Sequence, residues 1–440
     1  MKLLFVSLGC DKNLVDSEEM IGLISNRGFE FTDDEAQAEV IVINTCCFIN
    51  DAKEESINTI LEMAVQKKKG ICHALVVTGC MAERYRQEII EEIPEVDALL
   101  GTASYNEIAD VIEMVLKGRS IQIYADLNGS KQVNYNRVLT TGGHFAHLKI
   151  AEGCDKCCTY CVIPAVRGHF RSIPMEDLLK QAENLVDQGV KELILVAQET
   201  TLYGMDIYGK KMLRELLNKL CEIKNLEWIR LMYCYPEEIT DELIQTIKIQ
   251  DKICNYIDMP IQHSEDDILK KMGRRTDKNQ IISIVQKLRK EIPNIAIRTT
   301  LISGFPGETQ ENHENLIEFV EEMKFDRLGV FTYSREEGTP ASKMKGQISS
   351  KIKEKRRNEI MEIQQELAFE KAESRIGEIM SVMIEGKLAD ENAYVGRTYM
   401  DAPNIDGNIF ITTEETLESG QFVKVKVTGA SEYDLIGDLT

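Results

Sequence analysis

The stretch HLKIAEGCDKCCTYC, residues 147–161, joins an apolar run to three spaced cysteines, Cys154, Cys158 and Cys161. The run reads as a buried strand, and the cysteines fall in the loop after it, where α/β barrels carry their active sites. The Cys-x-x-x-Cys-x-x-Cys spacing offers an iron-sulfur cluster three thiolates and withholds a fourth, leaving one iron open to a ligand. A zinc knuckle is the other metal reading. Structural zinc, however, wants four closed ligands, usually as paired Cys-x-x-Cys units, and no second pair follows. Disulfides fit poorly, because adjacent Cys157 and Cys158 cannot both bridge easily. Cys157 is read as a passenger between the ligands.

Downstream, apolar runs recur at ELILVAQ (192–198), WIRLMYCYP (228–236), YIDMPIQ (256–262), AIRTTLISGF (296–305) and RLGVFTYS (327–334). They are separated mostly by amphipathic helical stretches such as MEDLLKQAENLVDQG (175–189) and ENHENLIEFVEEM (311–323). Six βα units predict a curved, partly open relative of the eightfold barrel over residues 144–375. At the end of its second strand lie Gln198 and Glu199, polar groups that suit either the amino end of a ligand on the open iron or ordinary strand-end polarity. The segment SGFPGET (303–309) suits either close backbone approach to a ligand or a tight turn. Gln262 and His263 follow the fourth strand and are assigned no chemistry.

Upstream, KLLFVSLG (2–9), VIVINT (40–45) and ALVVTG (74–79) each precede a helical stretch, predicting a parallel α/β domain over residues 1–118. Each run leads into a cysteine, Cys10, Cys46 and Cys80, with Cys47 an alternative to its neighbour. Ligands in open α/β sheets gather beyond the carboxyl ends of the strands, so the three should converge and could hold a second cluster. Singly, each would read as a small buried hydrophobe. Residues 119–143, rich in Asn, Gly, Thr and Ser, read as a linker.

A helix over about 350–375 carries the basic run KIKEKRR, read as a solvated face. From residue 376 short strands predict a small antiparallel β-barrel of oligonucleotide-binding type, to residue 440. In QFVKVKV, Val423, Val425 and Val427 alternate with Lys424 and Lys426.

The whole chain has 440 residues, 43% hydrophobic and 28% charged, with a net charge of -21 and twelve cysteines. That balance speaks against nonspecific phosphate binding. The N-terminal apolar run is at the lower limit for a signal segment and reads better as a strand; no membrane span is expected, and the protein is placed in the cytoplasm. In a reducing compartment many cysteines point to metal or catalysis before disulfides.

The motifs SLGC, NTCCF, TGCMAE, EGCDKCCTYCVIP, DMPIQH through GRRT, TTLISGFPGET and YSREEGTPA together resemble the methylthiotransferases of the radical S-adenosylmethionine superfamily, over essentially the whole chain. The resemblance implies two [4Fe-4S] clusters. One, on Cys154, Cys158 and Cys161, would bind S-adenosylmethionine and, when reduced by a flavodoxin or ferredoxin, cleave it to methionine and a 5'-deoxyadenosyl radical. The auxiliary cluster, on Cys10, Cys46 and Cys80, would carry the sulfur; in the family Cys46 matches the ligand. A second S-adenosylmethionine would supply the methyl group, and the C-terminal barrel would be a TRAM domain. An unactivated C–H bond has no acidic proton for a base to take, which is why a radical is required.

Family members modify either an adenosine in transfer RNA or an aspartate β-carbon in small-subunit ribosomal protein S-12. Residues 378–440 hold four basic residues (Lys387, Arg397, Lys424, Lys426) against twelve acidic ones, a net of -8. Such a domain should repel a phosphate backbone and attract a basic protein. The segment YVGRTYMDAPNIDG, with Asp401 and Asp406, also resembles the ribosomal-protein branch. The sequence therefore favours S-12 as substrate, with transfer RNA as the alternative and a simple iron-sulfur carrier as the reading from another class.

Overall fold

The computed structural model describes residues 1–129, 136–389 and 392–440, and within them the chain forms two compact units. The first comprises residues 1–140, 151–173 and 334–342; the second comprises 141–150, 174–333 and 343–440. The linker reading covers 130–135 and the C-terminal barrel reading covers 390–391; these positions lie outside the described residues.

The first unit is built on a six-stranded parallel sheet in the order β2-β1-β3-β4-β5-β6. The strands are β1 (Lys2–Ser7), β2 (Glu30–Phe31), β3 (Val40–Thr45), β4 (Ala74–Gly79), β5 (Ala98–Leu100) and β6 (Ile121–Ile123). Every residue of β3 and β4 is buried. Ile41, Ile43, Leu75 and Val77 pack on one face, and Val40, Val42, Ala74 and Val76 on the other. Cover on both faces is why these strands read as unbroken apolar runs. β6 falls within the segment read as a linker; a three-residue Ile-Gln-Ile run is too short to show its period.

The chain then passes through β7 (Phe145–Lys149), a strand of the second unit, and returns to the first in an antiparallel ribbon, β8 (Ala151–Glu152) with β9 (Arg171–Ser172). The cysteine-rich segment lies between β8 and β9, so it packs with the first unit.

The second unit holds a six-stranded parallel sheet in sequential order. After β7 come β10 (Glu192–Val196), β11 (Trp228–Leu231), β12 (Ile253–Asp258), β13 (Ala296–Ser303) and β14 (Arg327–Thr332). These are the six strands the sequence indicated. A helix spanning Ser350–Glu373 leads to a closed five-stranded barrel of β15 (Ile379–Lys387), β16 (Ala393–Arg397), β17 (Ile409–Thr412), β18 (Phe422–Ser431) and β19 (Asp434–Leu439). Its pairings are antiparallel except β17 with β19, which are parallel. Val425 and Val427 are buried and both lysines of the run are exposed, as the alternation requires.

Barrel and sheet share one core. Phe145, Trp228 and Tyr256 cluster with Val382, Ile384 and Val425, and Trp228 meets Phe422 edge-on at 4.8 Å. Buried ion pairs join the same layers. Glu192 receives Arg230 Nε and Arg397 Nη2, each at 2.7 Å, while Arg327 pairs with Asp401 and Arg298 with Asp406 at 3.3 Å.

Candidate functional site

In the first unit the strand order reverses direction beside β1 and β3, the switch point where ligands collect in open α/β sheets. Cys10 follows β1, Cys46 follows β3 and Cys80 follows β4. Gly9 sits so close to the loop after β3 that a Cβ there would lie 2.7 Å from Cys46 Cβ and 3.1 Å from Cys46 Sγ; its φ of +94° also favours glycine. Ser56 fixes the Cys46 backbone, accepting from its N–H at 3.1 Å and donating to its carbonyl at 2.9 Å.

Cys10 is the N-cap of the helix Asp11–Ser25 and Cys80 opens the helix Cys80–Glu92. Burial pushes the Cys80 thiol up, while the Arg167 guanidinium opposes that shift. Burial pushes the Cys46 thiol up to about 12, and the charges of Cys80 and Cys10 push the same way. Cys47 is fully buried among apolar residues, and burial and the Cys80 charge push its thiol up to about 12.

The helix Asp11–Ser25 turns a polar face inward. Asn13 Nδ2 donates to the carbonyls of Leu8 (3.0 Å) and Thr45 (2.9 Å), tying the loops that carry Cys10 and Cys46. Its Oδ1 accepts from Arg167, and the Cys80 thiol lies 3.7 Å from the same oxygen. Arg167 is buried and reaches Asp16 Oδ2 at 2.6 Å, Glu152 Oε2 at 3.1 Å and, through Nε, Cys80 Sγ at 3.4 Å. Burial opposes its charge, but Cys80, Glu152, Asp16 and Cys10 together hold its pKa well above the ordinary value.

The second cysteine group lies in the same unit. Cys154 and Cys158 are buried, Cys161 is half-buried and Cys157 is exposed. Cys157 has a φ of +54°, which turns the chain between the spaced residues. The Cys161 N–H closes a turn on the Cys158 carbonyl at 3.0 Å. The Lys156 N–H points at Cys154 Sγ (3.5 Å) and the Ile163 N–H at Cys161 Sγ (3.4 Å). Burial raises the Cys161 thiol, with the charges of Cys158, Cys154 and Cys157 adding to it.

Among the described residues no three His, Cys, Asp or Glu side chains are gathered as around a single metal ion. Thiols alone, with backbone N–H groups and a guanidinium aimed at sulfur, are instead the donor chemistry of iron-sulfur sites. The donor sets fit such clusters.

The segment YSREEGTPA supplies a brace within this unit. Glu336 accepts from Arg84 (2.8 Å), Lys53 (2.9 Å) and Ser334 (2.7 Å). Burial opposes its charge, yet those donors hold it below the usual carboxylate range.

In the second unit, Gln198 and Glu199 follow β10 as expected. Glu199 is fully buried, and its Oε1 accepts from the N–H and hydroxyl of Thr201. Non-glycine residues take positive φ in the next two loops, Tyr233 at +58° and Gln262 at +74°. Such conformations cluster at functional sites. Glu308 Oε2 caps its own loop, accepting from Gly304 N (2.8 Å) and Phe305 N (3.2 Å), with His263 Nε2 at 3.7 Å. The close approach at Gly304 is made by Lys353, whose aliphatic stem occupies the space a Cβ would need. Arg356 Nη1 binds Glu308 Oε1 at 2.7 Å. The basic run is therefore not simply a solvated face: Lys353 and Arg356 are buried against this loop. Their i, i+3 spacing was the available signal.

Part of the acidity of the C-terminal barrel is turned inward. Asp401 is spent on Arg327. Asp406 accepts from Tyr256 Oη and Ala402 N, and Glu385 accepts from Arg397 and faces His144. These three carboxylates are satisfied internally. Glu414, Glu415 and Glu418 are exposed.

Comparison with known proteins extends this geometry. The family model described as uncharacterized protein family UPF0004 matches residues 2–101, that of the radical SAM superfamily 148–320, and that of the TRAM domain 376–439. A ribosomal protein uS12 methylthiotransferase RimO from Lachnoclostridium phytofermentans is 63% identical over 437 residues, 99% of either chain. The chain belongs to the RimO-type radical S-adenosylmethionine methylthiotransferases. Another such relative, from Acetivibrio thermocellus, is 51% identical over 99% of this chain and 97% of its own. Among solved structures, the radical S-adenosylmethionine methyltransferase TsrM from Kitasatospora setae superposes with a TM-score of 0.57 at 13% identity, covering 77% of this chain and 76% of that one, a likeness of fold. A RimO-type enzyme uses S-adenosylmethionine and an iron-sulfur cluster. Among the described residues no helix is long and apolar enough to cross a membrane.

Proposed function

We propose that this chain adds a methylthio group to the β-carbon of an aspartate in ribosomal protein uS12, the protein called S-12 above, consuming two S-adenosylmethionine. The observation that carries the substrate is the full-length 63% identity to a uS12 methylthiotransferase, spanning all three domains.

Cys154, Cys158 and Cys161 would hold one [4Fe-4S] cluster, and Cys10, Cys46 and Cys80 the other. When bound and reduced, the first would supply the electron for reductive cleavage of S-adenosylmethionine, and the second would supply a site for sulfur. The protein's part is placement. Lys156 N and Ile163 N direct hydrogen bonds at the thiolates, and Asn13 pins the loops after β1 and β3. Gln198 and Glu199 would receive S-adenosylmethionine, in keeping with their place at the strand ends and with the positive-φ backbone of the following loops. Reduction by a flavodoxin or ferredoxin, in the cytoplasm, completes the reading.

The test is anaerobic reconstitution with iron and sulfide, then reductant, S-adenosylmethionine and either uS12 or transfer RNA. We expect 5'-deoxyadenosine and, by mass spectrometry, methylthio addition on uS12. Modification of transfer RNA alone would overturn the substrate, and absence of 5'-deoxyadenosine would overturn the chemistry.

A further inference from the structure

Arg167 lies six residues beyond Cys161 and touches the elements that carry the other cysteine group. A cation needed only to satisfy Asp16 and Glu152 could do so through Nη1 alone, since both carboxylates meet that nitrogen. The remaining donors go elsewhere: Nη2 to Asn13 Oδ1 and Nε to Cys80 Sγ at 3.4 Å. Asn13 and Asp16 stand on the helix that Cys10 caps, and Arg167 and Glu152 lie in the segment holding Cys154, Cys158 and Cys161. The planar fork thus reaches Cys80 of one cysteine group from the segment that carries the other, and Arg167, Asn13, Asp16, Glu152 and Cys80 are all buried.

Charge and N–H donors at a cluster sulfur raise its reduction potential, and buried anions nearby lower it. Without Arg167 the Cys80 sulfur would lose the guanidinium that it shares with Asp16 and Glu152. We propose that Arg167 is a positioning residue that sets the potential of the auxiliary cluster, holding it more positive than the flanking carboxylates would otherwise leave it. This rests on the reading that Cys10, Cys46 and Cys80 hold a cluster. Lysine could carry the charge but not the fork, so it should restore only part of the effect.

The experiment uses the full chain with Cys154, Cys158 and Cys161 all changed to Ala, reconstituted anaerobically, so that the remaining iron reports the auxiliary site. Its midpoint potential is read by electron paramagnetic resonance during a redox titration. Arg167→Met should shift the potential negative, Arg167→Lys should shift it less, and Asp16→Asn should shift it positive. Opposite signs in the two charge variants are not expected of a merely structural role. If Arg167→Met holds no cluster, Asp16→Asn decides alone: a positive shift supports the proposal and no shift overturns it. Unchanged potentials in a background that binds iron also overturn it. A background that binds no iron overturns the two-cluster reading itself.

Discussion

Cys157 and Cys158 are adjacent, yet one is exposed and the other buried in the group with Cys154. Changing Cys158 to Ser should lose about four iron atoms per chain, a full cluster, whereas Cys157→Ser should keep them, as colorimetric iron analysis would show. Equal loss in both would displace the assignment. Cysteine spacing marks this candidate site at the residue scale because thiolate clusters impose short, fixed intervals. Arg167 was not legible. Its partners Asn13, Asp16, Cys80 and Glu152 are distant in sequence, and nothing in the local pattern of VIPAVRG marks its guanidinium as buried.

Among elements, the helix Asp11–Ser25 shows why polarity misleads. Asn13, Asp16, Ser17, Glu18 and Glu19 are all buried, so a hydrogen-bonding hub lies beside the apolar Val15, Met20 and Ile24 that the helix also buries. The sequence disclosed a helix there but not which way it faces, because the amphipathic rule assumes that polar residues seek water. Glu18 accepts from Arg137 Nε at 2.6 Å and from Thr140 N at 2.7 Å. Glu18→Ala would leave Arg137 buried without its carboxylate. A loss on the order of 3–5 kcal/mol is expected, measurable by urea unfolding of the metal-free protein. The helix Ser350–Glu373 repeats the lesson. Arg356→Ala would take this cation from the buried Glu308 carboxylate and loosen the Gly304 loop, and a loss on the order of 3 kcal/mol is expected in urea unfolding.

For the whole molecule, both parallel sheets and the terminal barrel were readable, since buried strands and short alternating strands leave strong periodic marks. Ion pairs between layers leave none. Glu192 is held down to about 2: burial opposes its charge, but Arg397 and Arg230 outweigh it. With its folded pKa depressed, Glu192 stabilises the fold fully above the ordinary carboxylate range, and the contribution fades as pH falls from about 4.5 toward 2. The contribution is on the order of 3 kcal/mol. Denaturation curves across that window should flatten in Glu192→Gln, which should also be less stable at neutral pH because two buried arginines lose their anion. Asp401, Arg397 and Asp406 bind the strands of the sheet, so the barrel's own charges hold the scaffold together. Grafting a basic TRAM barrel from a nucleic-acid-modifying relative would therefore not make a clean specificity swap. The recipient's Arg298, Arg327 and Glu192 would meet the wrong counter-charges, and a working chimera would have to exchange the barrel together with the sheet surface it rests on.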